Sequence, residues 1–278
     1  MGDPLAGRAL LLDMDGVLCF GTSPAPGLRR FLDAVADRPY LCATNNTLVT
    51  AADIADRFAG MGADLPAERV LTVSDALRDH LVATCGPDDR AYVLGSGPVA
   101  AAVADAGLAV DARRASVVVV GLDLSATLAD LGPAIDALRR GARLVAANAD
   151  PVLLTESGLL PGTGAVVAAL LATVDPAAGG AVEYVGKPSP VMFQRALARL
   201  GVEAADAVMV GDSLRSDIAG AAVLGIATVL LTCGVTPPHA VLDPVPDLVF
   251  PTLDALTDAL VDSSYDPPAS RRETEVTA

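Results

Sequence analysis

Short, almost uninterrupted apolar runs alternate with helix-patterned segments along most of the chain, and this alternation restricts it to an α/β architecture on a parallel sheet. The runs are ALLLD (9–13), YLCAT (40–44), RVLTV (69–73), AYVLG (91–95), SVVVVGLD (116–123), RLVAAN (143–148), EYVGK (183–187), AVMVGD (207–212) and ATVLLT (227–232). A strand with one wet face alternates apolar and polar residues. These do not, so helices are expected over both faces. Aromatic residues make up 3% of the chain and tryptophan is absent, which leaves Ala, Val and Leu to fill the interior. At 278 residues the chain is long enough for one large or two modest domains. One helix is marked at both ends: Ser189 can cap it, Pro190 suits its first position, and Gly201 stops PVMFQRALARL (190–200). The Pro/Gly-rich DPAAGGA (175–181) reads as a connector, and the polar tail at 266–278 reads as disordered.

The formal charge of −15 argues against nucleic acid or an anionic membrane as partner, since both require a positive field. An anionic substrate would therefore need a site made locally positive by a metal and one or two cations. The four cysteines (19, 42, 85, 233) form no C-x-x-C pair, and with two histidines no zinc cluster is available. Free thiols in a reducing cytoplasm are the expectation, and MGDPLAGRAL carries no basic-then-apolar signal segment. Ile218 to Val235 lacks charge over a length that could cross a membrane, but three glycines interrupt it. It is expected to divide into a buried helix, a turn at Gly225 and a strand.

Four strand ends stop on polar residues. In Leu12-Asp13-Met14-Asp15-Gly16, extended backbone puts Asp13 and Asp15 on one side, roughly 7 Å apart, and Gly16 permits a turn. Such a pair can hold a hard divalent cation, or one carboxylate can attack while the other moves protons. An ordinary acidic turn is the competing reading. Thr44-Asn45-Asn46-Thr47 offers neutral donors before a helix, suited to phosphate oxygens, with helix capping by Asn46 or Thr47 as the alternative. Lys187 is the one lysine among 19 Lys and Arg residues and follows a strand directly. A compact ammonium can touch a carboxylate and a phosphoryl oxygen together where a guanidinium fork does not fit. In Gly211-Asp212-Ser213-Leu214-Arg215-Ser216-Asp217, Asp212 can bind metal directly and Asp217 can hold metal-bound water, or Asp217 can simply favour a helix N-terminus. Open parallel sheets bind ligands beyond the carboxyl ends of their strands, so the four ends can converge on one crevice.

These residues resemble the motifs of the haloacid dehalogenase superfamily of phosphotransferases. Asp13-x-Asp15-Gly16 is similar to the first motif, Thr44-Asn45-Asn46 to the second, Lys187 to the third, and Gly211-Asp212 with Asp217 to the fourth. VVVGLD (118–123), the Asn148-x-Asp150 pair and TESGLLPGTGAVVAAL (155–170) resemble the p-nitrophenylphosphatase and NagD-like branch, which carries a large α/β cap. The resemblance implies a Rossmann-like core, residues 1–75 and 182–265, with an inserted cap at 76–181 and hinges at the two crossings. It also implies an Mg²⁺-dependent phosphatase acting on a small phosphorylated metabolite, in which Asp13 is the nucleophile and Asp15 the general acid and base. Thr44, Asn45, Asn46 and Lys187 would hold the phosphoryl group. Asp13, Asp212 and the Asp15 carbonyl would bind the metal, with Asp217 behind them or acting through water.

Asn148 and Asp150 are candidates for substrate selection, because Ala147-Asn148-Ala149-Asp150 departs from the Thr-Asn-Pro-Asp common in the branch. Cap-mediated homodimers are common there. Two alternatives stay open: transfer to an acceptor other than water, and a regulatory protein that keeps the fold without turnover. His80 and His239, the Arg113-Arg114 and Arg139-Arg140 pairs, and Cys19 and Cys42 read as structural or solvated.

Overall fold

The computed structural model describes residues 5–155, 158–174 and 181–261. The tail at 266–278, most of the 175–181 connector and residues 156–157 lie outside them. The described residues fall into two compact units, one drawn from Met1–Ala43, Ile54–Val70 and Phe193–Ala278, the other from Thr44–Asp53 and Leu71–Met192.

A six-stranded sheet, most of whose residues belong to the first unit, has the order Leu248–Phe250, Ala227–Leu231, Ala207–Gly211, Ala9–Leu12, Tyr40–Thr44, Val70–Thr72. Parallel ladders join the first five, with Leu12 beside both Val210 and Cys42. Ala9–Leu12, Tyr40–Thr44 and Ala207–Gly211 are buried along their whole length, as their unbroken apolar runs require. Helices Leu28–Ala34 and Leu253–Val261 pack on each other in this unit. The chain leaves Ala9–Leu12 for one side of the sheet and Ala207–Gly211 for the other. Their carboxyl ends therefore flank the topological switch point, where an open sheet leaves a crevice.

The second unit carries a five-stranded parallel sheet in the order Glu183–Tyr184, Arg143–Ala146, Val117–Val120, Arg90–Leu94, Ala109–Val110. Val118, Val120, Leu144, Val167 and Leu170 centre its core. Its edge strand is braced by Glu183, which accepts from Arg143 through Nε (2.8 Å) and Nη2 (2.7 Å) and lies 3.1 Å from His80 Nε2. The Arg143 guanidinium, ahead of the His80 contact, holds the Glu183 carboxyl below its ordinary range. His80 thus has a structural place. Arg139 and Arg140 likewise spend donors on the carbonyls of Thr173 and Ala112.

The expected strands are present with shorter ends. The expected helix spans Pro190–Leu200, with Val191 N–H directed at Ser189 Oγ and Gly201 at φ +68° after it. Ile218–Val235 divides as expected, into helix Ala219–Val223, a turn at Gly225 (φ +74°) and strand Ala227–Leu231. Among the described residues no helix is long and apolar enough to cross a membrane. The sequence pattern does not reveal Leu248–Phe250, whose three residues follow a Pro-rich stretch, or the hairpin Val152–Thr155/Gly158–Pro161.

Candidate functional site

Asp13 continues the ladder of the first strand, its N–H bonding to the Val210 carbonyl at 2.9 Å. The chain then turns tightly: Leu18 and Cys19 N–H groups both reach the Met14 carbonyl, and Gly16 takes φ +93°. Gly16 is required twice over, because a Cβ there would also stand 2.1 Å from Asp212 Oδ2. Met14, between the two acids, is fully buried, whereas Asp15 is exposed.

On the neighbouring strand, Asp212 follows Gly211 directly. Ser213 then caps a single π-helical turn, Leu214–Ile218, by accepting from Ser216 N–H. That wide turn carries Asp217 back over the strand end, where its Oδ2 accepts from Ser213 N–H at 3.1 Å. Gly211 makes this approach feasible, since a Cβ there would lie 2.3 Å from that of Asp217. One carboxylate oxygen each from Asp13, Asp212 and Asp217 come within 4.8 Å of one another, and Asp212 (3% exposed) and Asp217 (0%) are buried. Three carboxylates this close repel strongly away from water. An all-oxygen set of this kind suits a hard divalent cation, and the residues present therefore fit magnesium. Asp217 stands beside the other two acids, and the Asp15 carboxylate is not part of the cluster.

A fifth strand end, missed in the sequence reading, completes this arrangement. After Ala227–Leu231 the chain passes Cys233, Gly234 and Val235, and Val235 N–H donates to Asp212 Oδ2 at 2.7 Å. Thr236 N–H reaches the Asp212 carbonyl at 3.2 Å, and the Thr236 hydroxyl accepts from Leu214 N–H. A Cβ on Gly234 would lie 1.9 Å from Asp212 Oδ2. The available signal was the glycine just past a strand, as in the other motifs.

Burial, then the Asp15 charge, pushes the Cys19 thiol pKa up to about 12, and burial also raises that of Cys233. Arg57 Nη2 lies 3.1 Å from the Met14 sulfur and 3.4 Å from the Cys19 sulfur.

In the second unit, Thr44 is buried and accepts from Asn46 N–H at 3.1 Å, which leaves its hydroxyl proton for another acceptor. Asn46 Oδ1 accepts from Leu48 N–H in a local turn. Neither Asn46 nor Thr47 caps the following helix; Thr50 does, in a reciprocal pairing with Asp53. Asn45 Nδ2 donates to the Lys187 carbonyl (2.9 Å) and to Asp150 Oδ2 (3.2 Å). Asn148 Nδ2 donates to the Asn45 carbonyl at 2.8 Å, and Asn148 Oδ1 accepts from Asp150 N–H at 3.1 Å. The structure thus brings together Asn45, Asn148, Asp150 and the main chain of Lys187, a residue that is 2% exposed.

The chain is similar to known proteins over most of its length. The haloacid dehalogenase-like hydrolase model matches residues 10–109, and a HAD-hydrolase-like model matches residues 184–256. The 5'-nucleotidase YutF of Bacillus subtilis (strain 168) is 32% identical over 257 residues, spanning 90% of this chain and 96% of that protein. The glycerol phosphate phosphatase of Mycobacterium tuberculosis, solved with magnesium, superposes with a TM-score of 0.82 at 32% identity, covering 92% of this chain and 78% of that one. NagD from E. coli K-12 gives 0.80 at 30% identity, covering 88% and 96%. With relatives at least 30% identical matched over 78–96% of their length, the chain belongs to the haloacid dehalogenase-like hydrolases, in the branch that includes NagD.

Proposed function

We propose that this protein is a magnesium-dependent phosphomonoesterase that hydrolyses a small phosphorylated metabolite by way of a phosphorylated Asp13. The observation that carries this reading is the meeting of Asp13, Asp212 and Asp217 at adjoining strand ends, two of them buried. So much buried negative charge is poorly tolerated without a cation to hold it. The metal would be held by these three side chains and the Asp15 carbonyl. When bound, magnesium supplies Lewis acidity and screens the repulsion between carboxylate and phosphate.

The chain's own residues supply the rest. An Asp13 oxygen attacks phosphorus as the P–O bond to the alcohol breaks, and Asp15 gives that alcohol a proton. Asp15 then takes a proton from water, which attacks the acyl phosphate to release phosphate and restore Asp13. Its exposure supports this role, because a proton shuttle must reach solvent or leaving group. The Thr44 hydroxyl, the main chain between Thr44 and Asn46, and the Lys187 ammonium hold the phosphoryl oxygens, where charge accumulates.

The five-stranded unit supplies the cap that chooses among alcohols. The nucleotidase and the glycerol phosphate phosphatase support nucleoside monophosphates and polyol or sugar phosphates as the substrate class. Exposed apolar side chains on the hairpin, Val152, Leu159 and Leu160, support a homodimer through this unit. Four free cysteines support a cytoplasmic location.

Phosphate release from a panel of these esters, with magnesium and with chelator, tests the reading. Metal-dependent turnover is expected. Binding of the esters without turnover would favour a regulatory protein, and a phosphorylated alcohol formed in glycerol-containing buffer would favour transfer to another acceptor.

A further inference from the structure

Asn45 and Asp150 occupy places where phosphate binding and substrate selection were expected, yet their atoms are already committed. A primary amide has two N–H groups, and those of Asn45 go to the Lys187 carbonyl and to Asp150 Oδ2. Because both neighbours are acceptors, the opposite amide orientation would set Oδ1 against two oxygens and is excluded. Oδ1 itself is buried without a donor. It lies against Gly186, where a Cβ would come within 2.6 Å. The side chain therefore has no hydrogen left for a phosphoryl oxygen. Asn148 closes the arrangement by binding the Asn45 carbonyl and Asp150 N–H, and Gly186 N–H bonds to the Ala147 carbonyl at 2.6 Å. Three segments far apart in sequence are so tied around the peptide that carries Lys187.

We propose that Asn45, Asn148 and Asp150 are positioning residues that hold the Lys187 main chain in register, and that Asp150 does not select the substrate. This rests on the reading of Lys187 as a phosphoryl-holding residue. Asp150 supplies the acceptor that fixes the Asn45 amide, so losing it frees the amide to rotate away from the Lys187 carbonyl. A small displacement of an ammonium is felt by every phosphoester, because all share the same phosphoryl group.

The test is kcat/KM on p-nitrophenyl phosphate, glycerol 3-phosphate and a nucleoside monophosphate, together with Ki for inorganic phosphate, in Asp150→Ala, Asp150→Asn and Lys187→Ala. Asp150→Ala should lower kcat/KM about tenfold on all three esters and raise Ki by a similar factor. Asp150→Asn keeps an acceptor oxygen and should stay within about threefold on every measure. A changed order of the three esters in either Asp150 variant overturns the proposal, and Asp150→Asn carries this test alone if the truncation prevents folding. An unchanged Ki in Asp150→Ala beside a raised one in Lys187→Ala overturns the positioning role only. An unchanged Ki in Lys187→Ala overturns the assignment of Lys187, and the proposal with it.

Discussion

Gly234→Ala adds one methyl group to a loop that touches no substrate in the proposed mechanism, and it is expected to cost the protein most of its magnesium affinity. The new Cβ would stand 1.9 Å from Asp212 Oδ2, 2.5 Å from Asp212 Cβ and 2.6 Å from Asp212 Cγ. Because Cβ is included, rotating the carboxylate does not relieve the overlap, and either the loop or the Asp212 backbone must move. Movement of the loop withdraws Val235 N–H from Oδ2 (2.7 Å), a bond to a charged acceptor worth about 1.5–3 kcal/mol. Movement of Asp212 takes one of three acids out of the cluster. Losing the group that orients a metal ligand typically weakens metal affinity about 10–100-fold, equivalent to about 1.4–2.8 kcal/mol. Magnesium titration by calorimetry reads the change directly, and thermal unfolding in chelator shows whether the metal-free fold is kept. Activity should return in part at high magnesium. Wild-type magnesium affinity in a folded Gly234→Ala protein would refute the reasoning, since it would mean the loop accommodates the methyl without disturbing Asp212.

Asp13→Asn should retain the fold and bind substrate, but turn over at least about a thousandfold more slowly in single-turnover measurements. Glu183→Gln should lower the melting temperature at neutral pH by removing the negative charge that pairs with Arg143 and one of the two oxygens that accept from it. The Glu183 carboxyl has a lowered folded value, so the stability it contributes is present above the ordinary glutamate range and is lost as pH falls through the folded value. The gap between the two melting curves should therefore close in acid, and a constant gap would show that the ion pair is not its source. Alkylation of the native protein at mildly alkaline pH should label exposed Cys233 before Cys19, which burial holds at about 12, and peptide mass analysis should find Cys19 modified only after unfolding.

Much of the candidate site was legible along the chain because its parts sit where strands end. An apolar run stopping at Asp13 or Asp212 marks both a buried strand and the point where it leaves the core, and the two-residue period of extended backbone separates Asp13 and Asp15 from buried Met14. The glycine-interrupted stretch after Ile218 was readable for the same local reason: Gly225 permits a positive φ. Asp217 was legible as a candidate for the same site, but how closely it approaches the other acids was not, because that depends on a π-helical turn and on the absence of a side chain at Gly211. Beyond its place just past a strand, Gly234 carries no local signal for a similar reason: its value lies in the space it leaves for an acid 22 residues earlier, and composition does not record space.

The sequence alone determined the α/β class, the two neighbouring acids of the first strand end, the single lysine and the distant aspartates, since each follows from local periodicity and residue chemistry. Tertiary structure decided which of those groups are already occupied. Asn45 looks like a phosphate ligand until its two amide hydrogens are seen to be taken by Asp150, 105 residues away, and by the Lys187 carbonyl, 142 residues away. Hydrogen-bonding capacity is a property of a residue type, but whether it remains available depends on which distant segments the fold brings against it.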